Sequence, residues 1–335
     1  MTFNINEYAI PTIYSYYYPE TKNMIDQLNS TYAHSDYEAV WRKTNLVGES
    51  SLPEYIEEFF SAFELASGLE NKKDFYKKYI TNGSSEAIRE SFAEYKAQWG
   101  DKARIHMFLG EYEGFYQFAK CFDIDVVFHA RESYVDSLRI AKGHEIFIIT
   151  NPSSIDGNEW SGFHDFVSFI SQYHSGLELY VDLTYLGVAL NSTNFIKDLM
   201  NSRVLSKIFF SMSKSFGMYY HRLGGVYSKV IMGSLEGNRW FHNKFSIRLG
   251  TDLLNRYNLS FLPSTIKIYQ NRVVDILKNE LNDNSIKSSD SVLIATGNKC
   301  VGYIDPRNRF NRINIARYCL TPGIYKLYME DKGNK

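Results

Sequence analysis

Cysteine and proline are scarce in this sequence, with three cysteines and seven prolines among 335 residues. Cys121, Cys300 and Cys319 are odd in number and widely separated. They therefore form neither the closely spaced pairs of a zinc site nor the even set of a disulfide framework, and we expect no metal centre. This cysteine usage is typical of a reducing compartment, and we expect a cytoplasmic protein.

Long apolar runs and an excess of one charge are also missing. No apolar stretch approaches the roughly 18 residues that a membrane-spanning helix needs. The first residues, Met1 to Glu7, have neither the basic nor the apolar segment of a signal peptide. The net charge is −1, so the composition points to neither nucleic acid nor a membrane as a partner.

What the sequence does contain is an alternating pattern that predicts an α/β fold. Between about residues 80 and 230, short apolar runs alternate with amphipathic helical segments, which is typical of a mostly parallel, helix-covered sheet. After residue 235, long helices and then short strands indicate a smaller α+β domain. We predict residues 1–50 as an N-terminal arm and part of the small domain, 51–235 as the large domain, and 236–335 as an interdomain helix and the C-terminal small domain.

Several predicted strands of the large domain end in polar residues. In an open α/β sheet, ligands bind at the carboxyl ends of the strands. The strands in question are Glu145–Thr150 before Asn151, Leu177–Val181 before Asp182, and Ile208–Phe210 before Ser211.

Lys214 follows the last of these strands, in the run Ser211-Met212-Ser213-Lys214-Ser215-Phe216-Gly217. Partial burial lowers the pKa of an amine and frees its lone pair to attack a carbonyl. A lone lysine in a serine-rich turn is more often a solvated loop residue, so the interpretation of Lys214 depends on the residues around it.

The other polar groups supply what pyridoxal phosphate requires of a protein: an amine, an anion near the ring nitrogen, a phosphate cradle and ring contacts. Asp182 is the candidate anion, and Tyr185 is a candidate donor to the ring 3′-oxygen. The segment Thr81-Asn82-Gly83-Ser84-Ser85 is typical of a strand end, a glycine turn and a serine-capped helix start. Free backbone N–H groups and the helix dipole make such a start suitable for a phosphate.

In this order, the motifs resemble the fold type I pyridoxal phosphate enzymes, and within them the aspartate aminotransferase-like (class I/II aminotransferase) family. The match is most specific at Ser211-x-Ser213-Lys214-x-x-Gly217-x-x-x-x-Arg222-x-Gly224. The resemblance implies a Schiff base on Lys214, a large domain that binds the cofactor, and a homodimer. It also implies phosphate contacts from Gly83, Ser84, Ser85, Ser211, Ser213 and Arg222, a ring stacked on the cofactor from Tyr112, and ring contacts from Asp182 and Tyr185.

The sequence departs from the family pattern Asn-Pro-x-Asn-Pro-x-Gly. The corresponding run begins Asn151-Pro152-Ser153-Ser154, which puts Ser154 where the family has its second Asn, a ligand of the 3′-oxygen. Either Ser154 substitutes with a shorter reach, or Asn151 moves in, or Tyr185 acts alone. Losing a donor to this oxygen should raise the pKa of the Schiff base. The N-terminal segment is also short for the family, and the tyrosine that a partner subunit lends to the phosphate is not identified.

Near the C-terminus, Asn311-Arg312-Ile313-Asn314-Ile315-Ala316 resembles the segment whose arginine binds the α-carboxylate of the substrate. The resemblance implies that Arg312 binds this group through its bidentate guanidinium fork. The alternative is a solvated arginine among its neighbours Arg307, Arg309 and Arg317.

The resemblance implies an aminotransferase that moves the amino group of an α-amino acid to a 2-oxo acid. One alternative keeps the cofactor but uses it for elimination, replacement, cyclisation, decarboxylation or oxidation of an amino acid. A remote alternative is a fold member without catalytic activity. The high aromatic content, 26 Tyr and 23 Phe, hints at an apolar or aromatic substrate but equally fits a compositional habit.

Overall fold

The computed structural model describes residues 3–15, 18–32, 52–69, 77–138, 141, 144–174, 176–190, 195–237, 239, 242–298 and 315–333. Cys300 and Arg312 lie outside these described residues, as does most of the predicted carboxylate-binding segment around Arg312.

A seven-stranded sheet forms the centre of the large part of the chain, with the strand order β1-β7-β6-β5-β4-β2-β3. Neighbours from β6 to β3 pair in parallel, whereas β7 pairs antiparallel with both β6 and β1. The predicted mostly parallel α/β sheet is therefore confirmed. The strands are β1 (Lys77–Thr81), β2 (Arg104–Phe108), β3 (Asp125–His129), β4 (Ile146–Thr150), β5 (Glu178–Asp182), β6 (Leu205–Ser211) and β7 (Gly224–Ser228).

Helices cover both faces of this sheet. Every residue of β4 and β6 is buried, as expected for strands packed on two sides. Phe209 and Phe210 are adjacent in β6 and belong to different hydrophobic clusters, because successive strand residues point to opposite faces. The helices are α1 (Pro19–Tyr32), α2 (Glu54–Ser67), α3 (Ser84–Trp99), α4 (Glu113–Cys121), α5 (Tyr134–Ser137), α6 (Phe163–Tyr173), α7 (Ile196–Asn201), α8 (Gly233–Glu236), α9 (Lys244–Tyr257), α10 (Phe261–Leu281) and α11 (Thr321–Gly333).

A second, antiparallel sheet lies in the C-terminal part of the chain, and the N-terminal arm joins it. Its strands are β8 (Lys287–Ser288), β9 (Ile294–Gly297) and β10 (Ala316–Cys319), in the order β10-β9-β8. Ile10 forms a β-bridge with Cys319, and Ile13 packs in the same hydrophobic cluster as α10 and α11. The exact domain boundaries stay a prediction.

Helix α1 is the clearest difference from the sequence analysis, which treats residues 1–50 as an N-terminal arm and part of the small domain. Its apolar pattern is weak, since Met24 and Leu28 are the only buried hydrophobic side chains among those that the structure describes in this helix. Their spacing of four residues places them on one face, against the core of the large sheet. Among the described helices, none has the length and apolarity to cross a membrane.

Candidate active site

The carboxyl ends of the parallel strands form one edge of the large sheet, here called the active-site edge. Because β7 runs antiparallel to its neighbours, its first residue lies at this same edge, where Ser211 pairs with Gly224. The sheet thus brings Arg222, which precedes β7, to the residues that follow the other strands. The predicted residues at this edge are Gly83, Ser84 and Ser85 after β1, Tyr112 after β2, Ser154 after β4, Asp182 at the end of β5 and Tyr185 after it, and Ser211 at the end of β6 with Ser213 and Lys214 after it.

Lys214 is buried, with 8% of its surface exposed. Its Nζ donates a hydrogen bond to the backbone oxygen of Ile13, so the N-terminal arm lies directly against the amine. Burial lowers the pKa of Lys214 to about 8; the positive charges of Arg317 and Arg222 act in the same direction, and Cys319 opposes them. An amine with this pKa is partly neutral near pH 7, as nucleophilic chemistry requires.

Asp182 is the buried acid of the edge. Its Oδ1 accepts hydrogen bonds from the Thr184 backbone N–H at 3.0 Å and from the Thr184 hydroxyl at 2.6 Å. Burial raises the pKa of Asp182 to about 7, and the charge of Glu111 adds to the rise, whereas the Thr184 hydrogen bonds oppose it. Thr184 Oγ1 also lies 2.9 Å from Ser84 Oγ, which links the acid to the first turn of α3. The sequence analysis does not identify Thr184.

The turn before α3 packs against Arg222. Gly83 has a φ of +84°, and a Cβ placed there would lie 2.9 Å from Arg222 Nη2. Arg222 Nη2 in turn donates to the Asn82 backbone oxygen at 2.8 Å. A Cβ on Gly224 would lie 2.7 Å from the Gly83 Cα. These approaches hold the guanidinium beside the N-terminus of α3.

Serine hydroxyls complete this corner. Ser211 Oγ accepts from the Ser213 backbone N–H at 3.2 Å. Among the residues that the structure describes, the buried Ser213 Oγ has no hydrogen-bond partner. Tyr112 forms a side-chain hydrogen bond with Ser85, and burial raises the pKa of Tyr112. A guanidinium, hydroxyls and a helix N-terminus form a donor set that suits a phosphate, so these residues fit the phosphate of the expected cofactor.

Ser154 joins two buried charges that the sequence analysis does not place in the site. Its hydroxyl donates to Glu111 Oε2 at 2.8 Å, and its backbone oxygen accepts from Arg317 Nη1 at 2.7 Å. Glu111 is fully buried, and burial raises its pKa. Arg317, which the sequence analysis names only as a neighbour of Arg312, has 9% of its surface exposed. The burial follows from its position in β10, next to β9.

The other two candidates for the 3′-oxygen have packing contacts of their own. Asn151 Oδ1 accepts from the Trp160 backbone N–H at 3.0 Å, while among the described residues its buried Nδ2 has no partner. Tyr185 is buried and packs in the hydrophobic cluster of the small sheet. Which residue contacts the 3′-oxygen stays a prediction.

Comparison with known proteins identifies the fold. No family model and no curated protein matches this sequence. Solved structures do: histidinol-phosphate aminotransferase from Clostridium acetobutylicum has a TM-score of 0.68 at 14% identity, over 95% of this chain and 96% of that chain. The fold is aminotransferase fold type I.

Two further structures are similar over a comparable length. A methionine aminotransferase from Escherichia coli has a TM-score of 0.69 at 12% identity, over 95% of this chain and 93% of that chain. A histidinol-phosphate aminotransferase from Sinorhizobium meliloti, in complex with pyridoxal-5′-phosphate, has a TM-score of 0.62 at 14% identity, over 95% of this chain and 90% of that chain. At these identities the likeness establishes the fold, and the chemistry is argued from the residues of this chain.

Proposed function

We propose that this protein is a pyridoxal phosphate-dependent aminotransferase, which transfers the amino group of an α-amino acid to a 2-oxo acid. The observation that carries the proposal is the pairing of a buried lysine with a buried acid at neighbouring strand ends. Asp182, at the end of β5, pairs with Phe209 of β6. Phe209 precedes Lys214 by five residues. Both groups have strongly shifted pKa values, as is common for catalytic residues.

The cofactor would be held at the active-site edge by residues already described. Arg222 and the N-terminus of α3 would bind its phosphate, together with the Ser211 and Ser213 hydroxyls. Asp182 would bind the ring nitrogen, and Tyr112 would lie against the ring. When bound, pyridoxal phosphate supplies an electron sink for negative charge at the α-carbon of the amino acid.

Lys214 would attach the cofactor and then move the proton of the reaction. With a pKa of about 8, the amine is neutral in about one molecule in ten at pH 7, so it is present in both its basic and its acidic form. Its neutral form accepts the proton from the α-carbon of the substrate, and its charged form returns a proton. The Ile13 carbonyl, to which Nζ donates, orients the amine at rest.

Arg317 is the better described candidate for the α-carboxylate of the substrate. It is buried, and it is close enough to Lys214 for its charge to lower the pKa of the amine. The Ser154 carbonyl holds one of its nitrogens, Nη1, at 2.7 Å. A guanidinium fixed in this way presents a planar fork to a carboxylate. Arg312 remains the sequence-based alternative.

The test is a panel of amino acids added singly to the cofactor-loaded protein without any 2-oxo acid. Transamination converts the bound aldehyde stoichiometrically to the pyridoxamine form, releases a 2-oxo acid that mass spectrometry identifies, and is reversed by adding a 2-oxo acid. Products of elimination, replacement or decarboxylation with unaided recovery of the aldehyde spectrum would contradict the proposal. A protein that takes up no cofactor would overturn it entirely. The expected homodimer and cytoplasmic location also stay predictions, based on the family resemblance and the cysteine usage.

A further inference from the structure

Glu111 is a buried acid at the active-site edge for which the proposed chemistry has no use. We propose that Glu111 is a positioning residue: it takes the hydroxyl hydrogen of Ser154, so that Ser154 does not donate to the 3′-oxygen of the bound cofactor. This inference rests on the proposed function. It answers a question that the sequence leaves open, namely what a serine does where the family has an asparagine.

The hydrogen bond itself is short and enclosed. Ser154 Oγ donates to Glu111 Oε2 at 2.8 Å, and both side chains are almost completely buried. The other carboxylate oxygen of Glu111 accepts from the Thr150 backbone N–H at 3.3 Å. Since Thr150 is the last residue of β4, the sheet itself holds Glu111 in place.

A serine hydroxyl has only one hydrogen, so a serine that donates to Glu111 offers other groups only its lone pairs. An asparagine amide has two donor hydrogens and could satisfy two acceptors. The substitution at position 154 therefore removes a donor, provided that Glu111 keeps the hydrogen. Burial disfavours leaving a carboxylate oxygen without a donor, which favours this arrangement.

Charged groups from three elements face this pair, and Lys214 is the next charged group beyond them. Arg131, after β3, places Nη2 4.0 Å from Glu111 Oε1, and its guanidinium lies over the ring of Trp160 at 5.0 Å. Asp182, at the end of β5, is close enough to Glu111 for the charge of Glu111 to raise the pKa of Asp182. Arg317 in β10 binds the Ser154 backbone oxygen. Lys214 after β6 is in turn within reach of the charge of Arg317.

The inference makes a prediction about the bound cofactor. An anionic 3′-oxygen with one donor fewer holds its proton more tightly, so the pH midpoint of the cofactor's absorbance change is high in the wild type. In Glu111→Gln, the new amide donates to Ser154 Oγ and releases the serine hydrogen for the 3′-oxygen. We expect the midpoint to fall by about one pH unit, the typical effect of one hydrogen bond to a charged group.

Removing the charge of Glu111 would lower the midpoint in any case, so the test is a double-mutant cycle. The absorbance of the cofactor-loaded protein is titrated for wild type, Glu111→Gln, Ser154→Ala and the double variant. We expect Ser154→Ala to leave the midpoint within about 0.2 pH unit of the wild type, because its hydrogen is not donated to the cofactor. Most of the Glu111→Gln shift should disappear in the Ser154→Ala background. Ser153→Ala is the matched control, since that hydroxyl accepts from Arg131 Nη2 at 2.8 Å.

Two results would overturn the inference while leaving the proposed function intact. One is a rise of about one unit in Ser154→Ala, which would mean that the serine donates to the 3′-oxygen. The other is an equal Glu111→Gln shift with and without the Ser154 hydroxyl, which would mean that Glu111 acts only through its charge. If no variant and no wild-type protein binds the cofactor, the proposed function fails and the inference fails with it.

Discussion

Two buried polar clusters of this protein have similar composition but different hydrogen bonding. The first is the active-site edge with Lys214 and Asp182. The second, here called the histidine cluster, consists of His106 in β2, His129 in β3, Ser137 in α5 and Glu145 just before β4. Both place ionisable groups in an apolar setting, where an unpaired polar atom costs free energy. The two clusters differ in how many of their polar atoms are left available for a ligand.

In the histidine cluster, the ring nitrogens are all hydrogen-bonded to other members of the cluster. His106 Nε2 lies 2.7 Å from Glu145 Oε2, His106 Nδ1 lies 2.8 Å from His129 Nε2, and His129 Nδ1 lies 2.6 Å from Ser137 Oγ. With Glu145 as the acceptor at one end, each ring donates on one side and accepts on the other, so Ser137 donates to His129. All four ring nitrogens have partners, which is typical of a structural network.

The active-site edge lacks this closure. Within the described part of the chain, the buried Ser213 hydroxyl has no hydrogen-bond partner. Lys214 donates to a backbone oxygen rather than to a carboxylate. The difference teaches that a buried ionisable group indicates function when its neighbours leave hydrogen-bonding capacity to spare, and structure when they do not.

The largest expected effect is the loss of activity in Lys214→Ala, with a second buried lysine, in the strand that precedes Lys214, as the comparison. Lys207 in β6 is 3% exposed, and burial lowers its pKa to about 8, as it does for Lys214. Its Nζ lies 3.9 Å from Glu94 Oε2 and 5.5 Å from the centre of the Tyr180 ring, away from the active-site edge. Lys214→Ala should lower kcat by at least about 10⁴-fold, because the covalent and proton-transfer group is lost.

The matched control, Lys207→Met, should keep kcat within about threefold and change only the free energy of unfolding. Steady-state kinetics and the cofactor absorbance of both variants measure the contrast. Equal losses of activity in the two variants would show that a low lysine pKa, and not a position at the active-site edge, determines which lysine is needed for activity.

A large effect on both activity and stability is expected at Asp182. Its pKa in the folded protein, about 7, lies above the usual value of 3.8 for an aspartate. Between these values the folded chain binds the extra proton, so the stability of the cofactor-free protein falls as the pH rises through this window. Asp182→Asn should therefore stabilise the cofactor-free protein at pH 8 by on the order of 1–4 kcal/mol and have little effect near pH 4.

The same substitution should lower kcat by about 10²–10³-fold, because the charge that faces the ring nitrogen is lost. Denaturant unfolding of the cofactor-free protein at several pH values gives the stability difference. A stabilisation at pH 4 as large as that at pH 8 would rule out the titration of Asp182 as its cause.

Local patterns explain what the sequence could predict. The strands before Asp182 and Lys214 are continuous apolar runs that end in polar turns. The strands and the polar residues at their ends could therefore be predicted from neighbouring residues in the sequence. The glycine turn at Gly83, before α3, is local for the same reason. Helix α1 is missed because two buried apolar residues, Met24 and Leu28, give too little periodicity.

The parts that sequence reading missed depend on contacts between distant segments. Glu111 and Ser154 meet across a separation of 43 residues, and Arg317 reaches Ser154 across 163. No local pattern marks Arg317 as buried, since its charge favours the surface and its neighbours in sequence include other arginines. Only the pairing of β10 with β9 shows that it faces the interior.

A smaller effect on activity is expected from the arginine that binds the substrate carboxylate, for which Arg317 and Arg312 are the two candidates. Arg317→Lys should raise KM for the amino acid by about 10–100-fold with a smaller change in kcat, because a lysine cannot reproduce the bidentate fork. Arg312→Lys is the matched control and should leave KM within about threefold. Initial-rate kinetics with a saturating 2-oxo acid gives KM and kcat for each variant. A larger rise of KM in Arg312→Lys than in Arg317→Lys would indicate that Arg312 binds the substrate carboxylate.

The smallest effect is expected in the histidine cluster. Burial, together with the charge of His106, lowers the pKa of His129 to about 4, below the usual value of 6.5 for a histidine. The unfolded chain therefore binds more protons between these pH values, and this contribution to stability is lost as the pH falls from about 6.5 to 4. His129→Gln should remove that slope and cost about 1–2 kcal/mol at pH 7, since its hydrogen bonds to His106 and Ser137 are weakened.

Ser137→Ala, which removes only the end of the chain of hydrogen bonds, should cost about 1 kcal/mol. Neither variant should move kcat or the absorbance of the bound cofactor, because all four imidazole nitrogens of the cluster are hydrogen-bonded within it. Urea unfolding between pH 4 and 8 measures the stability slope, and the cofactor titration measures the coupling. A shift in the pH midpoint of the cofactor absorbance in His129→Gln would mean that the histidine cluster is coupled to the active-site edge. Hydrogen bonds made within a cluster would then not be sufficient to identify a structural network.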